Sequence, residues 1–411
     1  MPTKTAVTPL LPTLQPGNVR YAPGVRAGRW LFATGIKAPV VDKAAQLHGL
    51  PKNKKEALGV FQSLKKILKA GGSDPAHVVR VDQYYRHGQV VPMYHEVRRK
   101  FFKGHVPPST SNLHQEFLLD GQDMEVQLMA AVAGKGMKPQ QHRPKDLPVH
   151  ASSSYSPVLT CGDFVFVAGQ TAEALKTAEG PIDPEARLPA GHLWKGTPIK
   201  LETEFIIRRK LKPALSSVGN SLDEVVKAQV YLRDIQDAPK FNEVWAKHFG
   251  RNPPATTIIT TSTPGFVCEA SRIEINTISV KRGGRTKKKP IDAGVPMPYA
   301  GQVQAIRAGD LLFLGGLMAV DERGALAVRS LSQQMNHVLE NAERICRKAG
   351  TTLVNVVRAQ QFHTDLAGFK AAWSAWDRRL PGRYLPYSAI EVPALAVPGA
   401  LVMLDLWVYV P

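Results

Sequence analysis

The sequence predicts an α+β protein built from three tandem copies of one small domain, each with the element order ββ-α-β-α-ββ. Three observations carry this. A glycine turn followed by a β-branched and aromatic run ending in glycine occurs at residues 28–35, 162–169 and 309–316. A helical stretch that closes on a glycine follows each. One strand is then written three times, over residues 78–84, 225–231 and 356–362, as VVRVDQY, VVKAQVY and VVRAQQF.

Each element has its own local cause. Tyr21, Tyr155 and Tyr299 precede the glycine turns, the third with three extra residues between, and Gly35, Gly169 and Gly316 end the strands where another backbone is expected to approach closely. Over residues 54–70, Ala57, Val60, Phe61, Leu64, Ile67 and Leu68 recur at helical spacing before Gly71 and Gly72. Counterparts are expected over 205–218 and 331–349, ending at Gly219 and Gly350. The second helix carries Tyr94, His95, Val97, Phe101 and Phe102 in the first copy, Phe241, Val244, Trp245 and Phe249 in the next, and Phe369, Trp373 and Trp376 in the last. Strands over 125–132, 272–280 and 401–410 close the copies. The apolar region 389–411 has the length of a membrane span, but Glu391 and Asp405 lie inside it and Pro393 and Pro398 interrupt it. Two strands joined by a turn are expected there.

A chain of 411 residues supports two to three domains, and 44% hydrophobic with 21% charged residues is the composition of a folded globular protein. Three scattered cysteines exclude a disulfide framework and a cysteine metal site and suit a reducing compartment. The first residues hold no apolar stretch of signal-peptide length, so a cytoplasmic protein without membrane attachment is expected. The net charge of +19 is concentrated in two segments. One holds Lys281, Arg282, Arg285, Lys287, Lys288 and Lys289, and the other Lys135, Lys138, Arg143 and Lys145. These read as basic linkers at 136–149 and 282–294, between domains at 1–135, 150–281 and 295–411. Solvated linkers are preferred over nucleic-acid contact as the meaning of this charge.

The middle copy has Tyr155-Ser-Pro-Val, the strand GDFVFVAGQ, the run LDEVVKAQVYLRD, the helix motif FNEVW and the tetrapeptide Pro254-Ala255-Thr256-Thr257. With these it resembles the reactive-intermediate deaminase (Rid, also called YjgF) family, and the flanking copies are similar but more diverged. The resemblance covers roughly residues 18–410 and implies three chorismate-mutase-like Rid domains. Rid proteins form homotrimers with clefts between subunits, so the resemblance implies an intramolecular pseudo-trimer, a monomeric chain closing its own ring.

The same resemblance nominates site residues. The family's arginine, which pairs with a substrate carboxylate, is replaced by Ser109, Thr256 and Ser388 in the three copies, so the usual α-imino acid substrates are not expected. The family's acid on the closing strand is kept as Glu125 and Glu274, the expected activators of water, but is Met403 in the third copy. Tyr21, Tyr155 and Tyr299 match the family's cleft tyrosine and, with Gly169 and the three hydroxyl residues, are the expected substrate contacts. Cys268, six residues before Glu274, can serve as a nucleophile only if a cation lowers its pKa, and a structural role is the plainer one. No HExxH, phosphate loop or dinucleotide fingerprint occurs, so no metal and no cofactor are expected. The implied function is hydrolysis of a C–N bond of a small metabolite, by deamination or by ring or amide opening, in an interdomain cleft. The alternatives are a non-catalytic ligand-binding or scaffold protein and a ribonuclease-like RNA-binding protein.

Overall fold

The computed structural model describes residues 6–38, 49–119, 121–134, 136–149, 153–174, 181–189, 191–192 and 197–411. The first domain runs β1 (Val7–Leu10), β2 (Thr13–Gln15), β3 (Val19–Tyr21), β4 (Gly24–Ala27), β5 (Trp30–Ile36), α1 (Lys52–Ala70), β6 (Val78–Tyr85), α2 (Val90–Phe102), β7 (Ser109–Leu113) and β8 (Met124–Ala131). The second has β9 (Gln140–His142), β10 (Val158–Cys161) and β11 (Phe164–Gln170), then α3 (Thr197–Phe205), a π-helical turn and α4 (Lys212–Ser216) as one continuous helical stretch. It ends with β12 (Val225–Leu232), α5 (Ala238–Phe249), β13 (Ala255–Thr260) and β14 (Ile273–Val280). The third contains β15 (Lys288–Ile291), β16 (Ala305–Ala308), β17 (Leu311–Leu314), α6 (Leu331–Lys348), β18 (Val356–His363), α7 (Phe369–Arg379), β19 (Tyr387–Glu391) and β20 (Val402–Tyr409).

The three main sheets share one strand order, β1-β4-β5-β8-β6-β7, β9-β10-β11-β14-β12-β13 and β15-β16-β17-β20-β18-β19. In each, the repeated strand pairs in parallel with the strand beyond the second helix, as a crossover connection requires. The apolar run before the C-terminus forms β19 and β20, and no helix among the described residues is long and apolar enough to cross a membrane.

The linkers depart from expectation. Segments 136–149 and 282–294 supply β9 and β15, which add an edge strand to the sheet of the domain that follows. Two charges of the second segment are engaged as well: Arg282 pairs with Glu224 at 2.9 Å, and the Lys288 ammonium donates to the Asn252 carbonyl at 2.7 Å. Lys135 lies outside the described residues. A Pro- and Lys-rich segment reads as a linker because edge strands tolerate both residues.

Strand alternation explains how the domains meet. Leu31 and Ala33 of β5 face the helices, whereas Trp30 and Phe32 face away from them. The same split separates Val165 and Val167 from Phe164 and Phe166, and Leu312 and Leu314 from Leu311 and Phe313. Helices cover one face of each sheet, and the outward residues of all three sheets join in one cluster with Trp407. A lone domain would leave that aromatic face in water.

Beside this cluster lies a buried polar network. Arg80, Lys227 and Arg358 occupy matching places on the repeated strands, and Asp82 and Asp405 supply the carboxylates. Lys227 pairs with Asp405 at 2.9 Å and Arg80 with Asp82 at 2.9 Å, while Arg358 donates to Gln127 at 2.8 Å and lies 4.5 Å from the Trp407 ring centre. Arg80 and Asp82 pair within the first domain, whereas the Lys227–Asp405 and Arg358–Gln127 contacts, and the bonds from Arg80 to Gln229 and Asn276, cross between domains and form only when these are docked.

Candidate active site

Three junctions follow one plan, in which a closing-strand residue and a glycine of one domain face the strand after the second helix of another. Glu274 and Gly169 face Ser109 and Ser111 of β7; Met403 and Gly316 face Thr256 and Thr257 of β13; Glu125 and Gly35 face Tyr387 and Ser388 of β19. The cycle of partners closes on itself.

The junction between the first and second domains holds a cavity of about 550 Å³. Its walls include His95 and Arg98 from α2, Ser109 from β7, and Tyr155, Gly169, Thr171, Phe266, Cys268 and Glu274 from the second domain. A register shift in β11 between Val167 and Gln170 turns the backbone at Gly169 toward Glu274. A methyl group on Gly169 would lie 1.8 Å from the Glu274 Oε1, so glycine makes room for the carboxyl. Burial pushes the Glu274 carboxyl up to about 8; the nearby charges of Asp82 and Glu173 add to this, and a hydrogen bond from the Ser111 backbone opposes it. At neutral pH most of the population is therefore protonated, and the carboxylate expected to activate water becomes abundant only as pH passes about 8. Tyr155 is half-buried in the same cavity wall and feels the charges of both Glu274 and Arg98. Cys268 borders the cavity, but burial raises its thiol pKa, so nothing there favours a nucleophilic thiolate.

The other expected residues stand elsewhere. Glu125 is fully buried and forms an ion pair with Lys37, and it accepts a hydrogen bond from the Ser388 hydroxyl. Tyr21 donates to the carbonyls of Thr34 and Gly35, at 2.6 and 2.9 Å. At the junction of the second and third domains, the Gly316 N–H donates to the Thr256 carbonyl at 3.0 Å, and the Thr256 hydroxyl turns back to the Pro254 carbonyl at 3.1 Å. Tyr299 packs against the helical core of the second domain, away from the place that Tyr155 fills. The three extra residues ahead of Gly309 account for this, since counting back from that glycine puts Gln302 opposite Tyr155. Among the described residues no group of three His, Cys, Asp or Glu side chains converges as metal ligands would.

Sequence reasoning missed Arg98 and Lys37. Aligning the second helices on Tyr94, Phe241 and Phe369 puts Arg98 opposite Trp245 and Trp373, a change of chemistry at one place in the repeat. Lys37 stands two residues after its glycine, where the other copies have Thr171 and Met318. Internal comparison of the copies carries both signals.

The family model described as Endoribonuclease L-PSP matches the chain three times, over residues 14–132, 146–281 and 294–410. A RutC family protein of Pyrococcus abyssi is 40% identical over 108 residues, which are 26% of this chain and 73% of that protein. Reactive Intermediate Deaminase A, chloroplastic, of Arabidopsis thaliana is 32% identical over 111 residues, 27% of this chain and 56% of that protein. Among solved structures, RidA from the Antarctic bacterium Psychrobacter is 25% identical, with 30% of this chain and 99% of that chain covered and a TM-score of 0.28. With three matches that together span most of its length, the chain belongs to the Endoribonuclease L-PSP family, the Rid family, as a tandem of three copies.

Proposed function

We propose that the cavity between the first and second domains hydrolyses a C–N or C=N bond of a small metabolite, with Glu274 handling the proton of the attacking water. The observation that carries this reading is a buried carboxyl without an ion-pair partner among the described residues, set in the wall of a cavity large enough for a metabolite. The name of the Arabidopsis relative supports the same reaction class. With an imine as substrate, water oxygen adds to carbon as the Glu274 carboxylate takes a water proton. That proton passes to nitrogen to give a carbinolamine; the same carboxylate then takes the hydroxyl proton and delivers it to the amino nitrogen as the C–N bond breaks, so that ammonia leaves a carbonyl behind. Among the described residues neither of the other junctions offers an equivalent base: Glu125 is held by Lys37 and Ser388, and a Met403 thioether has no useful basicity.

The chain is proposed to act as a single copy, its three domains forming a pseudo-threefold ring. Light scattering at the mass of one chain, 45.0 kDa, is the expected result, and a stable trimer of chains contradicts it. The chemical test is ammonia release from a panel of imines, enamines, lactams and primary amides, run beside Glu274→Gln. Turnover by the parent and not by the variant supports the assignment. Binding of panel compounds without turnover moves the protein to the ligand-binding class.

A further inference from the structure

We infer that Arg98 is an anion-recognition residue of the cavity between the first and second domains, and that the ligand presents a small planar oxyanion, a carboxylate, to it. Arg98 is 1% exposed, yet no carboxylate lies within ion-pair distance of it among the described residues. Its guanidinium is held in place instead by neutral acceptors. One terminal nitrogen donates to Gln83 Oε1 at 2.9 Å and Ser109 Oγ at 3.1 Å, the other donates to the Ser153 carbonyl, and the buried Nε–H has no partner. Gln83 is itself fixed, donating to the Thr110 carbonyl at 3.0 Å and Ser111 Oγ at 2.8 Å.

A buried cation with a free N–H and no counter-ion is unfavourable unless something supplies the missing charge. The cavity is where that charge can enter, since Arg98 lines it. The guanidinium edge is preorganised to donate two parallel hydrogen bonds to a planar group with two oxygens. The other copies sharpen the point. In the third domain the matching residue, Trp373, packs on Tyr387 with ring centres 5.5 Å apart, and in the second, Trp245 stacks on Phe249 at 4.1 Å. An arginine appears only in the copy whose second helix lines this cavity.

Arg98, Tyr155 and Glu274 line one cavity, so a single ligand there can reach both charged groups. An anion seated on Arg98 presents the remainder of the molecule toward the Glu274 carboxyl. This orientation rests on the proposed function, whereas anion recognition itself is tested by binding alone. It also reverses the expectation that loss of the strand arginine removes carboxylate recognition, because the charge arrives from α2 and reaches Ser109.

The test uses benzoate and benzamide, a pair alike in shape and different in charge, titrated calorimetrically into the full-length protein. Benzoate is expected to bind more tightly than benzamide, and Arg98→Met to weaken benzoate by at least about 30-fold while leaving benzamide unchanged. Arg98→Lys, which keeps the charge and loses the fork, is expected to fall between, and it carries the test if Arg98→Met does not fold. Equal binding of the two probes by the parent, or benzoate affinity unchanged in either variant, overturns the inference. Glu274→Gln is expected to retain benzoate binding. A protein that binds benzoate through Arg98 but releases no ammonia keeps this inference and loses the hydrolytic reading; ammonia release unaffected by Arg98→Met, with no benzoate preference, does the reverse.

Discussion

Glu274 and Glu125 stand at the same place in two copies of one domain, and their neighbours give them opposite surroundings. Two residues beyond the cleft glycine, the first copy has Lys37, the second Thr171 and the third Met318. The lysine neutralises Glu125, the threonine gives Glu274 no ion-pair partner, and Met318 and Met403 are both buried in one apolar cluster. A carboxylate that already has its counter-ion and a hydroxyl partner gains nothing from water. One that is buried in a cavity wall without an ion-pair partner among the described residues stays available, with its proton affinity raised by burial. The comparison teaches that retention of an acid in a repeat says little until the residue opposite it is known.

The largest expected effect is on turnover. Glu274→Gln should lower ammonia release by about 10²–10⁴-fold, whereas Glu125→Gln and Met403→Ala should leave most of it. Steady-state rates of the three variants decide this, and equal losses in all three would remove the distinction between the junctions.

Next comes stability at the closed junction. Lys37→Met strands a buried carboxylate and should destabilise the fold by about 3–5 kcal/mol, read as a lower urea midpoint. The double variant Lys37→Met with Glu125→Gln should recover much of that loss. Glu274→Gln in the same assay strands no charge and should show no such loss.

The two glycines offer a finer contrast. Gly169→Ala drives a methyl into the Glu274 carboxyl, so activity should fall by about 10²-fold through misplacement of the acid, with a small change in stability. Gly35 has φ +69°, and a methyl group there would lie 2.4 Å from the Tyr387 carbonyl oxygen. Gly35→Ala should therefore cost about 1–3 kcal/mol in stability, measured by the same denaturation.

The last effect is a slope, small over any one pH unit. The folded carboxyl of Glu274, at about 8, lies above its unfolded value of 4.5, so folding takes up a proton between these limits. The stability linked to this group is intact below pH 4.5 and is lost as pH rises to about 8, at no more than about 1.4 kcal/mol per pH unit. Glu274→Gln should remove that slope, so the variant gains on the parent most clearly at pH 9. Turnover should rise over the same range and level off above about 8, and a profile flat from pH 6 to 9 would count against Glu274 as the base.

The sequence by itself determined the copies and their elements, because the signals involved are short. Period-2 alternation in VVKAQVY, helical spacing from Ala57 to Leu68 and terminal glycines each act within a few residues. It also identified Glu274, Tyr155, Gly169 and Ser109, which the fold brings to one cavity. Only the tertiary structure decided that Glu125 is neutralised, that Tyr299 packs elsewhere, that the basic segments pair as edge strands, and that Arg98 sits in the cavity wall without a counter-ion among the described residues. The physical reason is distance along the chain. Arg98 and Glu274 belong to different domains, as do Glu125 and Ser388, and the charges at Arg80, Lys227 and Arg358 come from all three. The state of a buried charge is set by what lies across the interface from it, and no local pattern records that.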